Sequence, residues 1–180
     1  MSTKKNSTNK LSNADMKRLI DNYGNDLLKL CTLYLKDRYL AEDALQDTYI
    51  KVWEKYSSFN NLSNEKTWIT RIAINTCKDY MRKKWFKKNA SGDLLEIVGV
   101  SNGNTQIEQS IDIMNEMLKL NEKYRIVLIM YYYEEYSIKE ISEILQKNQS
   151  TVLSLLKRGR DKLKIKLIDN LYEGGGCYEI

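Results

Sequence analysis

The stretch Ser137–Lys166 constrains the fold more than any other part of the chain. It reads as a short helix, a tight polar turn over residues 146–148 and a longer helix rich in lysine and arginine. Asn148 and Ser150 are both candidate N-caps for the longer helix, because their side chains can accept from its free backbone N–H groups. The longer helix also has an apolar stripe at helical spacing, which predicts one buried side. That stripe consists of Val152, Leu156, Gly159 and Leu163.

The opposite side of the longer helix is polar and basic. Two helices joined by so short a turn, the second rich in cations, are typical of a helix-turn-helix whose second helix lies in the major groove of DNA. The alternative is a helical hairpin whose lysines only solvate a surface, as charge runs usually do. The small residue Ser142, where the helices must approach closely, favours the DNA-binding interpretation. The polar side offers Ser150, Ser154, Lys157, Asp161 and Lys164, with Arg158 and Arg160 on its flanks.

The chain as a whole predicts an all-α fold of two small helical domains joined by a flexible linker. Proline is absent, and β-branched residues rarely alternate with polar ones, so strands are not expected. A length of 180 residues allows one medium domain or two small ones. The predicted parts are a disordered tail (1–12), a first helical domain (13–88), a linker (89–106), a helix-turn-helix domain (107–170) and a flexible tail (171–180).

Composition excludes several kinds of function. The net charge of +5 favours a polyanionic partner. Histidine is absent, which removes Ser-His-Asp catalysis and His-based zinc sites. The three cysteines are far apart and form no CxxC pair, so we expect no structural zinc, no disulfide framework and a reducing cytoplasm. The longest apolar run, Ile126–Tyr133, is far short of the ~20 residues that a membrane span needs. The sequence therefore predicts no cofactor, no small-molecule substrate and no membrane insertion.

An acidic patch is expected on the second helix, which we predict over Leu40–Tyr56 with Trp53 facing inward. Acids in its first turns suit the helix dipole. Asp47 lies a full turn further along, and an acidic patch in a basic protein can dock a basic partner surface. As a metal or acid–base site the patch is poor, because no other ligand or titrating group joins it. The patch consists of Glu42, Asp43, Gln46 and Asp47.

The third helix, predicted over Glu65–Lys88, has a second polar side. An aromatic side chain at its start, an amide midway and cations at its end fit single-stranded or partly opened DNA, since bases stack on aromatics and phosphates bind cations. The alternative is that Trp68 caps the core while the lysines complement the helix C-terminus. The residues alone favour neither DNA binding nor the purely structural interpretation. The polar side contains Trp68, Arg71, Asn75, Lys78 and Arg82, with Lys83 among the cations that follow.

The order of these parts resembles the bacterial sigma-70 family, specifically its compact extracytoplasmic-function group. No single motif is decisive, but the combination is specific and covers most of residues 16–168. The stretches that carry the resemblance are AEDALQDTYIKVWEKYSSF (41–59), TWITRIAINTCKDYMRKKW (67–85), LNEKYRIVLIMYYYEEYSIKEISEIL (120–145) and STVLSLLKRGRDKLK (150–164).

The resemblance implies a protein that catalyses nothing and lends promoter specificity and strand opening to a polymerase. Its implied partners are core RNA polymerase, through the clamp helices and the flap, promoter DNA and, as in many relatives, an anti-sigma factor. Asp43, Gln46 and Asp47 match the helix that grips the clamp helices. The implied contacts to the melted downstream element are Asn60, Asn61, Trp68, Arg71, Asn75, Lys78, Arg82 and Lys83. The implied contacts to the upstream duplex element are Ser150, Thr151, Ser154, Lys157, Arg158 and Arg160.

The chain departs from the family pattern in its recognition helix. Leu155 stands where a basic residue is usual, and Leu153 is also apolar. Leucine can touch a thymine methyl group but cannot hydrogen-bond guanine, which affects how the upstream element is read. Asn121 replaces a usual proline and can serve as an N-cap.

Three other functions stay open on the sequence. An autonomous helix-turn-helix regulator would act as a dimer on palindromic DNA. A metal-dependent phosphoesterase would need a second carboxylate cluster beside Glu42, Asp43 and Asp47. A helical adaptor would use its basic ends only for solubility.

Overall fold

The computed structural model describes residues 11–59, 62–91 and 108–173. Within these ranges the chain is helical and has no strand, which confirms the all-α prediction. The predicted tail over 1–12 lies mostly outside the described residues, as do most of the predicted linker and the end of the second tail. The helices are α1 (Asn13–Leu35), α2 (Arg38–Lys55), a 3-10 turn (Tyr56–Ser58), α3 (Glu65–Ser91), α4 (Glu108–Lys119), α5 (Glu122–Tyr132), α6 (Ile138–Leu145) and α7 (Gln149–Glu173).

The chain divides into two compact units, Met1–Leu95 and Glu96–Ile180. In the first unit α1, α2 and α3 pack against one another pairwise. Helix α1 begins with a capping box, in which the Asp15 backbone N–H donates to Ser12 Oγ at 3.1 Å and the Asp15 carboxylate accepts from the Ser12 backbone N–H. It ends at Leu35, and its C-cap Lys36 adopts the left-handed conformation with φ of 56°. Its buried side consists of Leu19, Leu27, Leu30, Cys31, Tyr34 and Leu35.

The buried side of α2 differs from the prediction. Trp53, which we expected to face inward, is 39% exposed, and Thr48 is fully buried instead. Small side chains let α2 lie close to both of its neighbours, and no large indole fits between such surfaces. The Thr48 hydroxyl donates to the Ala44 carbonyl oxygen at 2.6 Å, so its burial leaves no unpaired polar group. The buried residues of α2 are Ala41, Ala44, Thr48 and Val52.

The second unit contains the predicted helix-turn-helix. Helix α6 begins with a capping box between Ser137 and Glu140 and ends at Leu145, and its C-cap Gln146 is left-handed with φ of 53°. The backbone N–H of Lys147 then donates to the Ser142 carbonyl oxygen at 3.0 Å, which satisfies a free carbonyl at the end of the helix. Helix α7 begins at Gln149, so Asn148, and not Ser150, occupies the N-cap position.

Helix α7 packs closely on α5 because Gly159 has no side chain. A Cβ atom at this position would lie 3.2 Å from Leu128 Cδ1 and 3.5 Å from Tyr124 Cβ. Val152, Leu156 and Gly159 are buried as the stripe predicted, so the side that bears the cations faces away from this packing surface. The Asn121 side chain caps α5 by accepting from the Lys123 backbone N–H at 3.2 Å, which confirms that predicted cap.

Candidate protein and nucleic-acid interfaces

The acidic patch lies on the exposed side of α2. Asp43 and Gln46 are exposed, and Asp47 is half-buried, so the three side chains share one face at a spacing of three and four residues. Glu42 is engaged locally, because its Oε1 lies 2.9 Å from Arg38 Nε. The face that remains for a partner is therefore made chiefly by Asp43, Gln46 and Asp47.

Asp47 is held in place by α3. The Tyr80 hydroxyl donates to Asp47 Oδ2 at 2.9 Å. Burial raises the pKa of Tyr80 to about 12, and the hydrogen bond to the Asp47 carboxylate acts in the same direction. Lys83 Nζ lies over the face of the same ring, 5.6 Å from its centroid. One aromatic side chain thus connects the acidic patch to the basic end of α3.

The polar side of α3 runs along one face of the helix. Asn75, Lys78 and Arg82 are exposed and span about 10 Å, since each helical residue adds about 1.5 Å. Lys78 Nζ donates to Asn75 Oδ1 at 3.4 Å, and Arg82 Nη2 lies 3.0 Å from Asp79 Oδ1. Asp79 Oδ2 is also 3.8 Å from Lys51 Nζ on α2. Of the other predicted contacts, Lys83 is exposed and Arg71 half-buried.

Trp68 does not offer a stacking face. It is only 7% exposed, because its ring packs against two other aromatics. The ring centroids of Trp68 and Phe59 are 5.1 Å apart, and Tyr56 meets Trp68 edge-on at 6.0 Å. In this structure Trp68 is packed in the core, as one of the two interpretations has it, and its ring offers no free face to a base. The two other predicted contacts in this region, Asn60 and Asn61, lie outside the described residues.

A carboxylate that the sequence analysis did not single out, Glu65, fixes the end of the loop before α3. Its two oxygens accept from Arg18 Nη1 and Nη2, both at 2.9 Å. It also accepts from the Tyr56 hydroxyl at 2.7 Å and from the Tyr23 hydroxyl at 3.3 Å. The hydrogen bonds from Arg18 lower the pKa of Glu65 below its ordinary value. In the sequence, Glu65 is simply an acid in a first helical turn.

Loop 59–64 is therefore held from both sides by the first unit. Phe59 belongs to the aromatic cluster with Tyr56 and Trp68, and Glu65 binds α1 directly. Lys66 adds a second link to α1, because its Nζ lies 3.1 Å from Asp26 Oδ2. Between these anchors, the side chain of Leu62 is 85% exposed. The described residues thus anchor both ends of the loop, and Leu62 between them is exposed.

The outer side of α7 holds the six residues predicted to contact duplex DNA, and all six are exposed. The hydroxyl of Ser154 donates to the Ser150 carbonyl oxygen at 2.9 Å. The first eight residues of α7, 149–156, carry no charged side chain, and the cations follow after these two turns. The exposed residues are Ser150, Thr151, Ser154, Lys157, Arg158 and Arg160.

The second unit also has an open apolar groove that the sequence analysis missed. It encloses about 560 Å³ between α4, the end of α5 and the second half of α7. Tyr132 and Tyr133 line it while remaining 50% and 46% exposed. Arg160 and Lys164 stand at its edge. The groove is lined further by Ile113, Met117, Leu128, Leu163, Leu167 and Ile168.

Two kinds of site do not occur in the described part of the chain. No three Cys, Asp or Glu side chains there are grouped in a way that could hold a metal ion. None of the helices in the same ranges has the length and apolar character needed to cross a membrane.

Family models match both units. The model for sigma-70 region 2 matches residues 19–87, and the model for sigma-70 region 4 matches residues 110–163. The chain is similar to the ECF RNA polymerase sigma factor SigM of Bacillus subtilis, with 32% identity over 145 residues, 79% of this chain and 88% of the relative. It is also 32% identical to the ECF RNA polymerase sigma factor SigW of the same organism over 169 residues, 84% of this chain and 88% of the relative.

Solved structures with the same fold agree with these matches. The sigma factor RpoE from Bartonella quintana, in its complex with the anti-sigma factor NepR, superposes with a TM-score of 0.75 at 25% identity. That likeness covers 85% of this chain and 96% of RpoE. CnrH, in its complex with the cytosolic domain of CnrY, shares the fold with a TM-score of 0.64 at 17% identity, covering 88% of this chain and 91% of CnrH.

Proposed function

The chain belongs to the extracytoplasmic-function group of the sigma-70 family, and from this membership we propose which surfaces perform each part of its work. As a sigma factor it binds core RNA polymerase and promoter DNA, and it directs promoter-specific initiation of transcription. The observation that carries this conclusion is the match of both family regions, in order, in a chain that spans 88% of its relatives SigM and SigW.

The acidic patch on α2 is the surface that we assign to the clamp helices of core polymerase. Asp43 and Gln46 are exposed, and the Tyr80 hydroxyl fixes Asp47 beside them. A preformed patch loses little side-chain freedom on binding, and its charge complements a basic partner. The apolar groove of the second unit, with its aromatic lining, supports a second docking site for the polymerase flap.

The exposed face of α3 and the loop before it are assigned to the melted downstream element. Asn75 supplies an amide for a base, and Lys78 and Arg82 supply charge for phosphates. The hydrogen bonds of Glu65 to Arg18 support this assignment, because they fix the end of that loop on α1. Trp68 contributes by anchoring that loop from within the core, so we assign it a positioning role.

The outer side of α7 is assigned to the upstream element as duplex DNA. Residues at the N-terminus of such a helix reach base edges, while cations further along bind phosphates. Ser150, Thr151 and Ser154 occupy the first two turns of α7, and Lys157, Arg158 and Arg160 follow. We further propose regulation by an anti-sigma factor, since RpoE of Bartonella quintana was solved in complex with one.

The family is one of initiation factors that are in general not enzymes, and we extend this to the present chain. The chemistry of RNA synthesis then belongs to the polymerase, and we place the protein in the cytoplasm, where the polymerase works. An autonomous dimeric regulator would not need the acidic patch or the first unit at all. The rival interpretations are therefore not favoured.

Co-elution with core RNA polymerase from Bacillus subtilis on gel filtration tests the proposal. Wild type should co-elute, and Asp43→Arg should not, because it places a cation in the exposed patch without removing any hydrogen bond seen in the structure. Asp21→Arg is the matched control, an exposed acid on α1, and should behave like wild type. Failure of wild type to bind an active core would overturn the function, and equal binding by Asp43→Arg would overturn the assignment of the patch.

A further inference from the structure

The exposed side of α7 contains one large apolar side chain where base contacts are expected. Leu153 is the fifth residue of the helix and is 51% exposed. Ser150 and Lys157 lie three residues before and four residues after it, so all three share one face. Leu155, the other apolar departure in this helix, is half-buried and lies on the far flank. The structure therefore separates the two leucines, and only Leu153 stands among the exposed polar residues of the first two turns.

The side chain of Leu153 itself carries no hydrogen-bond donor or acceptor. A leucine cannot bond to the N7 and O6 acceptors of guanine, which are commonly read by Arg or Lys. The Ser154 hydroxyl already donates its hydrogen to the Ser150 carbonyl oxygen at 2.9 Å, so towards DNA it can act only as an acceptor. At the position of Leu153, α7 thus offers an apolar surface, with the acceptor of Ser154 beside it, where a guanine would require a donor.

We propose that Leu153 reads a thymine in the upstream promoter element by packing against the C5 methyl group of that base. The methyl group is the one apolar feature that a standard base pair presents in the major groove, and apolar side chains contact it. The inference rests on the proposed role of α7 as the reader of duplex DNA, and it adds the chemical class of base that this chain selects. Isolated exposed leucines are common on protein surfaces, so the inference depends on the position of Leu153 within the base-reading turns.

The test removes only the methyl group. Full-length protein bound to Bacillus subtilis core RNA polymerase would first select duplexes from a library randomised across the upstream element. Each thymine of the selected element would then be replaced by deoxyuridine, one position at a time, and holoenzyme binding measured. At one position we expect binding to fall about fourfold, because the favourable burial of one methyl group against Leu153 is lost.

A double-mutant cycle assigns that loss to Leu153. Leu153→Ala should weaken binding to the thymine duplex by a similar or larger factor, and deoxyuridine at the sensitive position should then cost nothing further. Ile165→Ala is the matched control, since Ile165 is an apolar residue of the same helix that is 58% exposed but lies three turns beyond Leu153. It should keep the full deoxyuridine effect. Leu153→Lys should shift the selected base towards guanine, because it restores a donor.

The outcomes separate this inference from the function on which it rests. Selection of an upstream element in which no deoxyuridine substitution matters would overturn the thymine contact and leave the sigma function intact. Failure of the holoenzyme to select any upstream element would overturn both the thymine contact and the proposed role of α7 as the reader of duplex DNA. Loss of core binding by Leu153→Ala, with unchanged thermal unfolding, would make Leu153 a protein contact and also overturn the inference.

Discussion

The hydroxyl of Tyr80 on α3 donates to Asp47 Oδ2 on α2 at 2.9 Å, and this hydrogen bond joins two surfaces with different proposed partners. Asp47 belongs to the acidic patch assigned to core polymerase, and Tyr80 shares its helix with the residues assigned to melted DNA. Because Tyr80 is half-buried, its ring also fills space between the two helices. The position of one interface relative to the other is therefore fixed by a contact inside a single unit.

Replacement of Tyr80 by phenylalanine removes the hydroxyl and keeps the ring. The free energy of unfolding should fall by about 1 kcal/mol, the net contribution of a partly exposed hydrogen bond. Affinity for core polymerase should also fall, because the Asp47 side chain is no longer held in its orientation. Urea unfolding and equilibrium binding to core measure the two effects. Tyr39→Phe is the control, since Tyr39 is 82% exposed. Unchanged affinity for core in Tyr80→Phe would show that Asp47 needs no positioning.

Replacement of Glu65 by glutamine should weaken the anchor of loop 59–64. The neutral amide keeps the shape but loses the charge-assisted pairing with Arg18, which we expect to cost about 1–2 kcal/mol in the free energy of unfolding at pH 7. Glu54→Gln, a change of the same kind at an exposed position of α2, should cost almost nothing. Urea unfolding measures both, and equal stability of the two variants would contradict the anchoring role.

The same carboxylate predicts a pH dependence. Its pKa in the folded protein lies below the ordinary value of 4.5, chiefly because Arg18 donates two hydrogen bonds to it. Its contribution to stability is therefore complete above pH 4.5 and is lost as the pH falls through the folded pKa, where the unfolded state binds more protons. Wild type should lose stability more steeply than Glu65→Gln over this acid range. If the free energy of unfolding of the two proteins falls equally steeply with pH, the prediction is contradicted.

Truncation of Trp68 to alanine should destabilise the first unit by about 3–5 kcal/mol, because a buried indole in an aromatic cluster is removed. Trp53→Ala, at a tryptophan that is 39% exposed, should cost about 1 kcal/mol or less. Trp68→Phe should retain the fold and the binding of single-stranded promoter DNA by the holoenzyme. Loss of that binding in a folded Trp68→Phe protein would instead indicate that Trp68 contacts the DNA directly.

Removal of the Arg158 charge should change the salt dependence of DNA binding. Each phosphate contact contributes about 0.9 to the slope of log affinity against log salt concentration, so Arg158→Ala should reduce the magnitude of the slope by about 1. Titrations of holoenzyme with promoter duplex at several salt concentrations measure it. Lys29→Ala, at an exposed lysine on α1, should leave the slope unchanged. An unchanged slope in Arg158→Ala would mean that Arg158 contacts no phosphate.

The sequence determined those features that depend on neighbouring residues. The capping box of Ser137 and Glu140 and the Asn121 cap use side chains within three residues of the backbone that they satisfy. The buried stripe of α7 follows from a periodicity of one helical turn, and so does the exposure of the six predicted duplex contacts on its other side. Of these features, the Asn121 cap and the stripe of α7 were predicted from the sequence, whereas the capping box of Ser137 and Glu140 is equally local but was not predicted.

Only the tertiary structure decided which side chains meet across the first unit. Glu65 and Arg18 are 47 residues apart in the chain, and nothing in the periodicity of either helix pairs them. Trp68 sits at helical spacing with the polar residues of α3 but is buried, because Tyr56 and Phe59 reach it from the other end of the loop. Thr48 is buried and Trp53 exposed because α2 lies close to both α1 and α3. Local spacing fixes where a side chain points on its own helix, whereas burial depends on what the rest of the chain places opposite it.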